Sequence, residues 1–376
     1  MTAGIAAAGL DRLSAALEAR VASGHIPGAV ALIVHRGQVA YHRAFGRRDP
    51  ATAAPMPMDA VFRIYSMTKP IVSIAAMMLW EEGRFLLSDP VARFIPAFAA
   101  TRLASGAVPG RAMTMQDLLR HTSGLTYEFR GSGPVQQAYI AARVARRNQT
   151  NEDQAAALAA LPLLHAPGTH WEYSRSTDVL GRVIEVIAGE GLGAFLARRV
   201  LTPLGMRDSG FSVPAAAQDR LAEAFATDPD TGTAVALLEV REPPRYESGG
   251  GGMVGTAADY GRFLTLLLGG GTFEGQRLLG RKTLDLMTAD HLGGLPAAAD
   301  LVPPGHGFGL GFAVRLAPGL APFPGSVGSY FWGGLAGTTF WVDPAEHLAA
   351  VLMIQAPGQR EVYRVLFRDL VYAALA

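Results

Sequence analysis

The chain carries 33 basic residues, yet only two of them are lysines, Lys69 and Lys282, and Lys69 stands three residues after a serine in Ser66-Met67-Thr68-Lys69-Pro70. An arginine keeps its proton in a protein, whereas a desolvated lysine can give one up and act as a base. A position that retains Lys in an Arg-rich chain is therefore one where an amine is wanted. Three residues make nearly one helical turn, so the hydroxyl and the amine project from the same side. Pro70 is tolerated only in a first turn. Ser66 thus falls at the N-terminus of a helix running to about Glu82, with Ile71, Ile74, Ala75, Met78 and Leu79 on one apolar face and Gly83 as its stop. Free N–H groups and the positive end of the dipole favour negative charge forming beside such a serine during nucleophilic attack. An N-cap serine beside a surface lysine reads the same way in sequence, so the pair needs partners.

Two further segments offer them. Tyr173, in Trp171-Glu172-Tyr173-Ser174-Arg175, follows the turn Ala166-Pro167-Gly168 and precedes a helix. From such a loop a phenol can enter a cleft, and beside a lysine ammonium it can take a hydroxyl proton and return it to a leaving group. Trp332-Gly333-Gly334-Leu335 leads towards a strand. Its glycines let a substrate lie against backbone, and the Leu335 N–H can pair with that of Ser66 as an oxyanion hole. Taken singly, the tyrosine reads as core and the glycines as a strand entrance.

Taken in order, Ser-x-x-Lys, a loop tyrosine and a Gly-Gly strand resemble the serine hydrolases of class C β-lactamase fold and, among them, the family VIII carboxylesterases. The stretches His121-Thr122-Ser123-Gly124-Leu125, Pro203-Leu204-Gly205-Met206 and Gly250-Gly251-Gly252-Met253 are similar as well, and the match runs from about residue 10 to the C-terminus. The resemblance implies Ser66 as nucleophile, Lys69 and Tyr173 as the acid/base pair, and the Ser66 and Leu335 N–H groups as oxyanion donors. Which of Lys69 and Tyr173 is the base stays open at this point. In true β-lactamases the strand motif is Lys-Thr-Gly and the tyrosine motif Tyr-x-Asn. Here Trp332 replaces the cation and Arg175 the asparagine, and both changes favour an uncharged ester over a β-lactam or peptide. Arg175 either restores carboxylate binding or is held by Asp178, and Tyr127 is expected to line the acyl pocket. The rivals are a β-lactamase or D-alanyl peptidase, an acyltransferase, and a penicillin sensor that acylates once and stops.

The elements that must position these residues are legible from pattern. A helix over about Leu10 to Ala22 precedes strands Ala29 to Val34 and Val39 to Phe45, which turn at Arg36-Gly37. Strands Gly337 to Val342 and Leu348 to Gln355, followed by an amphipathic helix from about Arg360 to Leu375, mirror them at the other end. The fold class expected is α/β plus all-α: one antiparallel sheet from both chain ends, flanked by helices, with an inserted helical domain, as in β-lactamases and DD-peptidases. Residues 1–80 and 290–376 would form the α/β domain and 81–289 the helical one, with the site in the cleft between. Expected helices there are Thr114 to Arg120, Glu152 to Leu161, Ser176 to Ala188, Leu192 to Leu201 and Thr256 to Leu268. The stretches 293–304 and 317–325 read as long loops, one of them shaping the rim of the site.

Composition narrows the classes. A chain of 376 residues, 49% hydrophobic, buries a large core, and a net charge of +1 with both signs mixed gives no basic stripe for nucleic acid. With no cysteine there is no disulfide or thiolate chemistry. The opening residues lack a basic n-region, and no apolar run is long enough for a bilayer, so no membrane partner and a cytoplasmic location are expected. Gly250-Gly251-Gly252-Met253-Val254-Gly255 matches a dinucleotide fingerprint literally, but Glu242-Pro243-Pro244 breaks any preceding strand. No Gly-x-Ser-x-Gly and no His-Glu-x-x-His occur, and His165 and His170 read as loop residues. No metal or cofactor is expected, and the partner is a small-molecule ester; the oligomeric state is not legible.

Overall fold

The computed structural model describes residues 4–376, so the expected segment 1–80 begins with three residues outside those described. Its centre is the apolar run Gly28–His35, a strand buried at every position. Side chains alternate across a strand. Ala29, Ala31 and Ile33 accordingly join one core with Leu13, Leu17, Tyr363 and Phe367, while Val30, Leu32 and Val34 join a second, larger one. The run is continuously apolar because both faces of the sheet are covered.

Eight strands build that sheet: β1 Gly28–His35, β2 Gln38–Asp49, β3 Ala54–Pro55, β4 His306–Phe308, β5 Ala313–Arg315, β6 Tyr330–Gly333, β7 Thr339–Asp343 and β8 Leu348–Ile354. Their spatial order is β3-β2-β1-β8-β7-β6-β5-β4, antiparallel throughout. The two chain ends meet where β1 pairs with β8, Ala29 opposite Ile354. Arg36 and Gly37 turn β1 into β2 with φ of 52° and 76°, the left-handed pair that a two-residue hairpin requires. This is the sheet expected from the sequence, with four strands, β3 to β6, added. Strands β4, β5 and β6 are three or four residues long among glycines and prolines, too short for an alternating pattern to stand out. One placement is corrected: Trp332 and Gly333 lie within β6 itself, rather than leading into β7.

Helices α1 Ala7–Ala22 and α5 Arg360–Tyr372 cover one face of the sheet, and α4 Ala257–Leu268 packs on β1 and β8 from the other. A boundary at 289 would have put α4 in the helical part. Amphipathic spacing reveals an apolar face but not which layer it meets, and Tyr260, Phe263 and Leu264 meet the sheet core. Helix α2 Thr68–Glu81 is buried from Thr68 to Leu79 and packs against α3 Ser176–Ala188. A helix apolar on all sides belongs inside. The expected helix at 192–201 passes into a π turn at Ala197–Leu201, and short helices at Pro134–Ala141 and Arg281–Met287 were not foreseen. The loops 293–304 and 317–325 carry neither helix nor strand. Among the described residues, no helix is long and apolar enough to cross a membrane.

Asp117 fixes the segment that leads into the site. It closes a capping box with Thr114 on the helix Met115–Leu119 and, fully buried, accepts from Arg111 at 2.6 and 2.9 Å and from the Thr122 hydroxyl at 2.7 Å. Burial raises its pKa, but the Arg111 bonds together with those from Thr114 and Thr122 outweigh this and hold it below the usual carboxylate range. A depressed folded-state pKa contributes stability that is present above the unfolded value and lost as pH falls through the folded one. We predict that Asp117→Asn lowers unfolding free energy by roughly 2–3 kcal/mol at pH 7, and that in urea melts this gap between wild type and variant narrows below about pH 4.

Candidate active site

Ser66 sits in a single 3₁₀ turn, Tyr65–Met67, that runs directly into α2. Tyr65 holds a left-handed φ of 45°, a conformation costing on the order of 1–3 kcal/mol for a bulky residue. Its hydroxyl is anchored by the Leu238 N–H at 2.8 Å. One turn on, Lys69 is 1% exposed, and its amine donates to Ser66 Oγ at 3.3 Å, Tyr127 Oη at 2.9 Å and the Gly250 carbonyl at 2.6 Å. Three acceptors thus surround a buried amine with three positions to fill.

The acceptors are themselves pinned. Buried Asp178, on α3, accepts from Tyr246 Oη, Ser248 Oγ and the Gly250 N–H, which fixes the loop whose carbonyl meets Lys69. A Cβ at Gly250 would stand 2.5 Å from Asp178 Oδ2 and 2.9 Å from Tyr127 Oη. The glycine run that imitated a dinucleotide motif is there to let backbone reach the amine. Tyr127, expected in an acyl pocket, lines the cleft and is also a partner of Lys69. Burial, reinforced by the nearby Asp178 charge, raises its pKa well above the ordinary phenol value, so it stays protonated.

Tyr173 reaches the same point from the opposite wall. Its ring lies beneath the Lys69 amine, 4.4 Å from nitrogen to centroid, and its hydroxyl accepts the Trp332 indole N–H at 3.2 Å. Its hydroxyl bonds neither Ser66 nor Lys69 directly. Trp332 is 3% exposed, so it serves Tyr173 as a donor as well as lining the cleft. His121, with its own left-handed φ of 59°, packs its ring 5.0 Å from that of Tyr173. Burial first, and the Lys69 charge second, keep His121 well below its usual pKa and therefore neutral.

The strand motif faces Ser66 through a close backbone approach. The Thr338 hydroxyl donates to the Ile64 carbonyl at 3.3 Å, and a Cβ at Gly334 would lie 2.5 Å from that same oxygen. Only glycine lets β6 come this near the turn carrying Ser66. No bond from the N–H of Ser66 or Leu335 to another described residue is found, and Leu335 is 48% exposed at the cleft. Arg175 is held, as one of the two alternatives had it, but chiefly by Glu128, with Nη2 to Oε1 at 2.5 Å and Asp178 at 3.6 Å. Both its carboxylate partners come from the protein. Sequence reasoning also missed Arg364, which donates to the Gly334 carbonyl at 2.9 Å.

Ser66, Tyr127, Tyr173, Arg175, Trp332, Gly333 and Leu335 line one cleft of about 750 Å³. Residues from both long loops, Leu301 and Phe323 among them, form its rim. A serine paired with lysine on a helix start, facing a strand of small residues across such a cleft, defines a serine hydrolase of β-lactamase fold. The beta-lactamase family model matches residues 13–373, and the chain belongs to that family. It is 34% identical over 382 residues to Esterase EstB of Burkholderia gladioli, covering 96% of this chain and 95% of that protein. It is 30% identical over 373 residues to a lovastatin esterase of Penicillium rubens, with 90% and 91% covered. The solved structure of EstCE1, described as a hydrolase with promiscuous acyltransferase activity, superposes with a TM-score of 0.84 at 31% identity, covering 97% of this chain and 98% of that one.

We predict that Gly334→Ala, which pushes β6 from the Ser66 turn, lowers kcat/KM about 10²–10³-fold. Steady-state kinetics beside a thermal melt check this, the melt being expected to shift by no more than a few degrees.

Proposed function

We propose that the chain is a carboxylesterase that hydrolyses short acyl esters through an acyl-enzyme on Ser66. The observation that carries this reading is the convergence of the Ser66 hydroxyl, the Lys69 amine and the Tyr173 ring at one point of a cleft that Leu335 also lines. Acting as a phenolate beside the Lys69 ammonium, Tyr173 takes the Ser66 proton as the serine oxygen attacks the ester carbonyl, and Lys69 holds that oxygen in place with its positive charge beside the developing anions. The oxyanion rests on the N–H groups of Ser66 and Leu335. Tyr173 then returns the proton to the departing alkoxide, and water repeats the sequence on the acyl-enzyme. Trp332, with its donor N–H on the Tyr173 oxygen, positions that phenol.

Esterase names among the relatives support ester over amide chemistry, as does the geometry of the two altered motif positions. The indole of Trp332 takes the place of a strand cation, and Arg175 is neutralised by Glu128 and Asp178. Neither offers a free charge next to the scissile bond, as a β-lactam carboxylate would need. EstCE1's acyltransferase activity favours one second reading, in which an alcohol rather than water accepts the acyl group. On either reading the partner is a small molecule, and we place the activity in the cytoplasm.

Replacing Ser66 by Ala is expected to remove hydrolysis of 4-nitrophenyl butyrate by at least about 10⁴-fold while leaving the circular dichroism spectrum unchanged. Wild type should cleave that ester far faster than the cephalosporin nitrocefin; comparable rates on the two would favour a β-lactamase.

A further inference from the structure

The cleft continues past the oxyanion strand to helix α5, and there it meets positive charge with little to balance it. Arg360, Arg364 and Arg368 recur at every fourth position of α5, so they share one face, and all three line the cleft that holds Ser66. Glu361 is the carboxylate paired with Arg360 and Arg364, at 3.1 and 2.7 Å. Arg368 has none. It is 6% exposed, no ion pair or side-chain hydrogen bond joins it to another described residue, and its Nε is buried without a partner, as is the Nε of Arg364.

A buried charge left without hydrogen bonds is costly. The guanidinium of Arg368 is sandwiched by rings, 4.3 Å from the Phe323 centroid, 4.7 Å from Phe331 and 5.1 Å from Trp341, which hold it in place but accept none of its N–H groups. Of the other charges nearby, Arg315 is engaged on the Ala317 and Phe323 carbonyls and Asp343 on Tyr372 and the Ser326 N–H; Asp369, next along α5, attracts Arg368 through space but makes no ion pair or hydrogen bond with it, and its buried Oδ1 is also without a partner. Burial lowers the Arg368 pKa to about 10, so at neutral pH it remains a cation.

We infer that Arg364 and Arg368 form an anion subsite at the far end of the cleft, and that the ester this site takes carries a carboxylate there. The inference rests on the esterase reading and narrows its substrate. Arg364 lies against Gly334, beside the oxyanion strand, and Arg368 stands one turn further along α5, so the carboxylate sits about 5–10 Å beyond the scissile carbonyl. That spacing suits a chain of about four or five atoms. The loss of a strand lysine points to an uncharged ester only near the reacting bond; this charge reads the substrate from the opposite end.

The test compares carboxylated and neutral esters of equal length on the purified protein. One arm sets 4-nitrophenyl hydrogen glutarate against 4-nitrophenyl pentanoate, for an anion on the acyl side. The other sets 3-(4-acetoxyphenyl)propanoate against its amide, for an anion on the alcohol side. In at least one arm wild type is expected to prefer the carboxylate tenfold or more in kcat/KM, and the preference should weaken as salt is raised. Arg368→Gln should reduce that ratio at least tenfold and Arg368→Lys restore part of it. Turnover of the neutral esters with no carboxylate preference in either arm overturns the subsite alone, as does an Arg368→Gln loss that is equal on charged and neutral esters. If no ester is turned over, the esterase reading falls with it.

Discussion

A buried lysine amine is the constraint around which this protein is arranged. Taken out of water, it must find hydrogen-bond acceptors or give up its charge. Lys69 finds three, one nearby and two from distant parts of the chain: Ser66 one turn earlier, the Tyr127 hydroxyl and the Gly250 carbonyl. Meeting that demand brings helix α2, the segment after His121 and the glycine run of 250–252 to one point. Ser66, the proposed nucleophile, is thereby oriented by the same contacts that make burial of the amine tolerable.

The remaining architecture keeps those contacts in register. The wholly buried α2 gives Ser66 and Lys69 a rigid base. Asp178, at the start of α3, grips the Gly250 loop, and Asp117 grips the segment leading to Tyr127. On the far side, β6 is drawn up to the Ser66 turn through Gly334 and Thr338. Left-handed backbone at Tyr65 and His121 marks the two places where the chain bends sharply to deliver side chains to the cleft, and each is held by a hydrogen bond or ring packing that offsets the strain.

Much of this could be read from residues alone, and the reasons are physical. Ser66 and Lys69 share a helical turn, so their spacing encodes their contact. Tyr173 and Trp332 stand in short motifs with distinctive neighbours, and the central strands β2, β1, β8 and β7 are long enough to stand out as apolar or alternating runs. What stayed hidden belongs to groups without a side-chain signature. The Gly250 carbonyl is backbone, and its glycine looks like any other until Asp178 and Tyr127 crowd it. Tyr127 is legible as a residue of the cleft, but its bond to Lys69 is not, because nothing in its local sequence points to that amine. Strands β4 to β6 are too short for periodicity. Arg364 and Arg368 look like the polar face of an amphipathic helix, and only the packing of α5 turns that face towards the cleft.

The central claim is that Ser66, oriented by Lys69, carries the acyl group covalently. Its most direct test is mass spectrometry of the intact protein and its peptides, quenched in acid milliseconds after mixing with 4-nitrophenyl butyrate. The account predicts a butyryl adduct on the peptide containing Ser66, absent when Lys69 is replaced by Ala. An adduct on any other residue, or steady turnover with no adduct at any time, would contradict it.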